Sequence, residues 1–235
     1  MWYRQARRDG LQRESRIGIR MGRTAKASTP DVSEKTIGRL SLYRRILAVL
    51  LAEGKEFVCS HELATLARGS SAQVRRDFMA LGCVGRRSRG YNVKELLDSI
   101  GAFLDAPSGD AAALVGVGNL GRALLAYLVD RRPNLSIKAA FDTDPKKINR
   151  TFNGCPCYSM QSLVEVVQFH HIRTAIIAVP AAYAQDVADE LVEVGVRGLL
   201  NFAPVRLRVP QDVFIENMDI STALEKTAYY ARLRK

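Results

Sequence analysis

The 235-residue sequence has no apolar run near the roughly 18–20 residues that a bilayer-spanning helix needs. No secretory apolar core follows its basic start. Membrane and secreted proteins are set aside, and the cytoplasm is the expected location. Cysteine is scarce. The four, Cys59, Cys83, Cys155 and Cys157, are too few and too irregularly spaced for a disulfide framework. The spacing of Cys155-Pro156-Cys157 matches no strong metal-site template, and no second Cys/His pair accompanies it. It reads as an ordinary surface loop, and no metal is expected.

Acids are short at one end only. Residues 1–30 carry eight Lys/Arg against two acids, residues 31–100 twelve against eight, and residues 101–235 fifteen against fourteen. A basic first part joined to a near-neutral second part suggests a polyanion-binding module attached to something else, and the length suits two modest domains. Residues 1–30 are Arg-rich and poor in large apolar residues, which predicts a disordered or mobile arm able to add phosphate contacts without sequence specificity. Asp9 and Glu14 interrupt the run, against an organelle transit peptide. Met21 is an alternative start.

Residues 31–104 read as a helical module. Ser33 is a good N-cap, Ile37, Leu40, Tyr43, Leu47 and Leu50 recur at helical spacing, and Gly54 ends the run. A short helix is expected from a Ser60 N-cap to Ala67. Arg68-Gly69-Ser70 is a turn, and a third helix runs from Ser71 to Leu81 with Val74, Phe78 and Leu81 on one side and Gln73, Arg75 and Arg76 elsewhere. Short helix, glycine turn and basic-faced helix form a helix-turn-helix pattern whose second helix enters a major groove. Next, Arg86, Arg87 and Arg89 lie in a glycine-bounded turn before Tyr91-Asn92-Val93, a pattern suited to a β-hairpin wing. Ser71, Gln73, Arg75 and Arg76, with Arg87 and Arg89 on the wing, are the candidate DNA-binding residues. Lys94 to Leu104 reads as a linking helix.

The second half is organised around Gly116-Val117-Gly118-Asn119-Leu120-Gly121, with an apolar run before it and a helix-compatible run after it. The G-x-G-x-x-G spacing has a physical use. The first glycine permits a tight strand-to-helix turn, the second lets a pyrophosphate approach the backbone, and the third lets helix and strand pack closely. Asp142, about twenty residues further on, ends the next strand, where an acid can bind a ribose hydroxyl and favour NAD(H) over NADP(H). Asp142 to Lys147 is expected to be a polar turn with a helix start, and Thr151 to Ser159 to be irregular. Strands at Thr174–Val179 and Gly198–Phe202, a helix at Ala181–Val194 and a last strand at Val213–Glu216 make a parallel sheet covered on both faces. The fold class is therefore α/β, with a winged helix-turn-helix ahead of a Rossmann-like, doubly wound sheet.

The strand ends offer Tyr127, Val179, Pro180, Asn201 and Phe202 to a ligand, none of them a general base for hydride transfer. No length remains for a substrate domain. The cofactor is therefore expected to be sensed, no catalytic residue is assigned, and an NAD-dependent oxidoreductase with a basic accessory domain is the alternative. A CoA-binding protein is a third reading, against which Asp142 argues. Asp219 to Leu233 is a helix too apolar for a tail, with Leu224, Ala228 and Ala231 on one stripe, and it needs a partner surface: its own domain or a second subunit.

From Ile37 onward the chain resembles the Rex-type redox-sensing transcriptional repressors. The resemblance rests on Arg39 through Leu47, Gln73-Val74-Arg75-Arg76-Asp77, Arg87 with Gly90-Tyr91, the glycine loop, Phe141-Asp142, Val179-Pro180, Asn201-Phe202-Ala203-Pro204 and Glu216-Asn217-Met218-Asp219. Ser88, Arg89 and Leu81 depart from the family pattern, which bears on wing depth and operator preference. The resemblance implies a homodimer on palindromic double-stranded operator DNA, with the last helix swapped onto the partner. NADH and NAD+ would compete, and NADH would release the DNA. The expected units are a basic arm (1–30), a winged helix with linking helix (31–104), a NAD(H)-binding Rossmann domain (105–217) and a dimerisation helix (218–235). The nicotinamide is expected between subunits near Tyr127, Val179-Pro180 and Phe202, with Arg45 and Asp219 as polar partners in the switch.

Overall fold

Ser33 opens the first element by accepting a hydrogen bond from the Thr36 N–H, and helix α1 (Glu34–Ala52) follows. The computed structural model describes residues 32–86, 89–128 and 134–234. The basic arm, Arg87 and Ser88 lie outside the described residues. Leu40, Tyr43, Leu47 and Leu50 bury one face of α1, and Gly54 leaves the helix at φ +80°. A short strand β1 (Phe57–Val58) leads to α2 (Ser60–Leu66), and α3 (Ser71–Ala80) is capped by Ser70, whose hydroxyl accepts from the Gln73 N–H. The N-cap of α2 is Cys59, which makes no side-chain capping bond. The hydroxyl oxygen of Ser60, expected as the cap, instead accepts from the Arg75 guanidinium at 3.1 Å.

The wing differs from a simple hairpin. Its strand β2 (Tyr91–Asn92) pairs antiparallel with β1, some thirty residues earlier in the chain, and the turn itself is closed by a single bridge between Arg86 and Gly90. Gly90 sits at φ +77°, and a Cβ there would overlap the Val58 carbonyl oxygen, so only glycine lets the turn lie on β1. Val93 begins α4 (Val93–Leu104), capped by Asn92. These helices share one core containing Tyr43, Leu47, Val74, Phe78, Leu96 and Ile100.

The second core belongs to a seven-stranded sheet. Strand β3 (Asp110–Val115) lies at its centre and runs into α5 (Asn119–Leu128), followed by β4 (Leu135–Asp142), β5 (Thr151–Phe152) and β6 (Cys155–Ser159). Helix α6 (Leu163–Phe169), β7 (Thr174–Ile177), α7 (Ala181–Glu193), β8 (Gly198–Asn201), β9 (Phe214–Asn217) and α8 (Ile220–Leu233) complete the chain. The order β5-β6-β4-β3-β7-β8-β9 is parallel except at β5. The strand order reverses beside β3, and ligands bind outside strand ends at such a point. No helix among the described residues is long and apolar enough to cross a membrane.

Two expectations fail between β4 and β6. No helix starts after Asp142. The Asp144 carboxylate accepts from the Lys146 N–H, and Asn149 takes φ +61°, so the chain turns back at once. Residues 151–159 form the strands β5 and β6 joined by a turn at Asn153-Gly154, and Asn149 and Arg150 already exchange backbone bonds with Cys157. Cys155 and Cys157 are accordingly buried with Leu114, Leu125 and Ile176, the reverse of a surface loop. Burial pushes the Cys155 thiol up to about 11.

Candidate nucleotide cleft and nucleic-acid interface

The glycine loop is held by its neighbours on both sides. Gly116 donates to the Phe141 carbonyl at 2.8 Å, and Ala178 donates to the Val115 carbonyl at 2.8 Å. Gly116 lies at φ +97°, and a Cβ there would come within 2.5 Å of the Ala178 carbonyl oxygen and 2.9 Å of Val179 Cγ1. At Gly121 a Cβ would overlap the Gly116 carbonyl oxygen. At Gly118 it would meet nothing within 4 Å. The outer glycines therefore let the chain pack, while the middle one borders open space where an anionic ligand can reach the backbone. The first helical bond of α5 runs from Arg122 N to Gly118 O, so the amides before it point out of the helix end with the positive end of its dipole.

Asp142 is buried at the end of β4. One carboxylate oxygen accepts from the Val117 N–H at 2.8 Å and from Lys147 Nζ at 3.0 Å, and the other accepts from the Asp144 N–H at 2.9 Å. Burial alone would raise its carboxyl. The bonds from Asp144, Lys147 and Val117 outweigh burial and hold it below the ordinary carboxylate range. Asp142 thus anchors the glycine loop, a role its sequence spacing does not reveal. Lys147 was not singled out, although its place five residues after Asp142 in a tight turn is the available signal.

Of the other candidates, Val117, Asn119, Leu120, Val179, Pro180, Asn201 and Phe202 lie at the carboxyl ends of the strands, whereas Tyr127 stands in the last turn of α5, away from the glycine loop. Val117 buries its side chain in the core, so only its backbone faces the loop. Asn119 accepts from the Arg122 guanidinium at 2.9 Å, and Leu120 is exposed beside it. Tyr127 is exposed on α5. Val179 packs on the core, and Pro180 is the exposed N-cap of α7. Asn201 is buried: its amide nitrogen donates to the Ala203 and Val205 carbonyls and to Asn217, and its oxygen accepts from the Ala203 N–H. Those bonds shape the Ala203-Pro204 turn, and Phe202 stands half-buried at its entrance.

The basic surface is built on a buried ion pair. Asp77 of α3 is 3 % exposed and accepts two bonds from Arg39 of α1, both 2.7 Å, one from Gln73 at 2.9 Å and one from the Tyr43 hydroxyl at 3.2 Å. Burial would raise its carboxyl, but these bonds hold it below the ordinary range. Burial, then the Asp77 charge, pushes the Tyr43 hydroxyl up to about 12. Above the pair, Ser71 opens α3, and Arg75 and Arg76 are exposed. On the wing, Arg86 and Arg89 lie over the Phe57 ring, 5.9 and 5.7 Å from its centroid. Arg86 belongs to the wing turn read from the sequence, but its contact with Phe57 was not foreseen. Pairing of β1 with β2 brings Phe57 there, and such a distant pairing leaves no local signature.

Asp77 and Asp142 both have depressed carboxyls, so the stability they add is present above the unfolded value of about 3.9 and is lost as pH falls through the folded values. The thermal midpoint is expected to stay level from neutral pH to about pH 5 and to fall below about pH 4. Asp77→Asn is expected to cost about 1–3 kcal/mol at pH 7, read by chemical unfolding, because it leaves Arg39 without its countercharge.

Arg45 is exposed on α1, and Asp219 caps α8 through bonds from the Thr222 N–H and hydroxyl, which lower its carboxyl. Among the described residues no bond joins the two within one chain.

A family described as "CoA binding domain" matches residues 110–205, and one described as "Putative DNA-binding protein N-terminus" matches residues 31–78. The redox-sensing transcriptional repressor Rex of Lactobacillus acidophilus is 41% identical over 199 residues, covering 85% of this chain and 94% of its own. The chain belongs to the Rex family. Rex proteins are named as repressors, not enzymes, which removes the oxidoreductase alternative. The Rex-family repressor RSP has been solved with β-NAD+ and operator DNA (TM-score 0.78, 30% identity, 85% of this chain and 92% of that one). It has also been solved with β-NADH (TM-score 0.75, 28% identity, 86% and 94%).

Proposed function

We propose that this chain, as a homodimer in the cytoplasm, binds palindromic double-stranded operator DNA, represses transcription there, and releases the DNA when NADH displaces NAD+. The observation that carries the reading is the coexistence of two surfaces in one chain: an anion-accepting cleft at Gly118 and an arginine-faced helix α3. The RSP complexes support both ligands. NADH and NAD+ differ chiefly in the charge on the nicotinamide ring, so the switch needs a site that senses that charge. A ligand moves a two-state protein only by binding one state more tightly. Gly116 to Gly121 cradle the pyrophosphate, Asp142 borders the adenosine ribose, and Tyr127, Val179, Pro180, Asn201 and Phe202 form the nicotinamide end. Ser71, Gln73, Arg75 and Arg76 meet the major groove, with Arg87 and Arg89 at the wing. Residues 1–30 add phosphate contacts, residues 31–104 form the DNA-binding unit, 105–217 the nucleotide unit and 218–235 the dimer helix.

The "CoA binding domain" match makes CoA the ligand to exclude. Titration calorimetry with NADH, NAD+ and CoA tests the cleft: the two dinucleotides are expected to bind and compete, and tight CoA binding without them would replace this reading. Arg45 and Asp219 belong to the switch. Arg45→Ala and Asp219→Ala are each expected to raise the NADH concentration needed to release operator by at least about fivefold, the small end of ordinary coupling. Unchanged release in both variants removes them from the switch.

A further inference from the structure

Gln73 and Arg76 lie three apart on α3, one turn along the helix surface. At about 100° per residue, Arg76 projects from the side opposite the buried Val74, Asp77 and Phe78, whereas Gln73 sits at the flank next to α1. The Gln73 side chain is held at both ends. Its amide nitrogen donates to Asp77 at 2.9 Å, and its amide oxygen accepts from the Arg76 guanidinium at 2.7 Å. The chemistry fixes which end is which, because an ionised carboxylate only accepts and a guanidinium only donates. Asp77 is itself immobilised by the two bonds from Arg39, and Arg39 also donates to the Thr36 hydroxyl. A continuous chain thus runs from the first turn of α1 through Arg39, Asp77 and Gln73 to Arg76. Arg75 stands outside it, tied to Ser60 at the start of α2.

A glutamine that reads adenine must turn both amide atoms outward to the base edge. Here the nitrogen faces a buried carboxylate. We infer that Gln73 is a positioning residue rather than a base reader: braced on Asp77 and Arg39, it aims the Arg76 guanidinium into the groove, and Arg76 sets the base preference. The favoured base is guanine, whose O6 and N7 match a guanidinium fork. The inference rests on the operator-binding reading of α3.

The test is a double-mutant cycle read base pair by base pair. The preferred site of the wild-type protein is first selected from duplexes with randomised half-sites. Affinity is then measured for each single base-pair change of that site with the wild type, Gln73→Ala, Arg76→Ala and the double variant, and thermal unfolding of each protein reports loss of fold separately. Both single variants are expected to lose about tenfold or more of their discrimination at the same G·C pair, and the double variant no more than Arg76→Ala alone. Loss at a different base pair in Gln73→Ala, or additive losses in the double variant, would make Gln73 a reader in its own right. Unchanged preferences in a folded Gln73→Ala would also overturn the inference. If the wild type selects no sequence, the operator reading itself has failed.

Discussion

Gly118→Ala is expected to leave the protein as stable as the wild type and to weaken NADH binding at least about 100-fold, roughly 2.7 kcal/mol. The added methyl meets no protein atom within 4 Å, and Gly118 is not among the glycines in the left-handed region, so the folded chain accepts it. Its Cβ then stands where the pyrophosphate must approach the amides. Such a variant keeps α3 and its arginines intact and becomes a repressor that NADH does not release. Gly121→Ala gives the contrasting outcome. Its Cβ overlaps the Gly116 carbonyl oxygen and approaches Leu114 Cδ2 to 3.3 Å, so α5 must move off β3. A loss of about 3 kcal/mol of stability is expected together with loss of NADH binding. Chemical unfolding and NADH calorimetry on the two variants check both. A Gly118→Ala protein that binds NADH normally would show that the dinucleotide does not lie against this loop.

Leu224→Glu is expected to convert a dimer to monomers and to weaken operator binding by about 100-fold or more, because the second half-site contact ceases to be intramolecular. No residue of α8 is buried, and Ile220, Leu224, Tyr230 and Leu233 are each at least 59 % exposed. A 14-residue helix has little stability of its own in water, so this one needs a surface to pack on. The other described residues do not supply one. Phe214 and Met218, just before the helix, are also exposed and extend the apolar area. Light scattering at micromolar protein and operator titration give the two readouts. An intact Leu224→Glu dimer would place the subunit interface elsewhere.

What the sequence revealed followed distance along the chain. The glycine loop and α3 are local patterns: spacing alone places Gly116 and Gly118 between strand and helix, Gly121 in the first turn of that helix, and Val74 and Phe78 opposite Arg76. Features made by distant residues were not legible. Phe57 reaches the wing only because β1 pairs with β2. Asp142 was placed at the right strand end, but its bond from Val117 crosses to the glycine loop, and its bond from Lys147 depends on a tight turn where a helix start was expected. Cys155 and Cys157 read as loop residues because their spacing matches no metal site, yet the edge hairpin with β5 accommodates Pro156 and turns both thiols inward. Gln73 looked like a reader because it is polar and near Arg75 and Arg76. Only the buried carboxylate beneath it shows where its amide points.

Exchange of DNA for NADH on one chain is the expected switch. Its most direct test is the fluorescence anisotropy of a labelled operator, selected by this protein, held in a preformed complex and titrated with NADH or with NAD+. NADH is expected to return the anisotropy to that of free DNA. NAD+ is expected to leave the complex intact and, added first, to raise the NADH concentration needed for release. A complex that survives saturating NADH, or that NAD+ dissolves as readily, would rule out an NADH-driven switch.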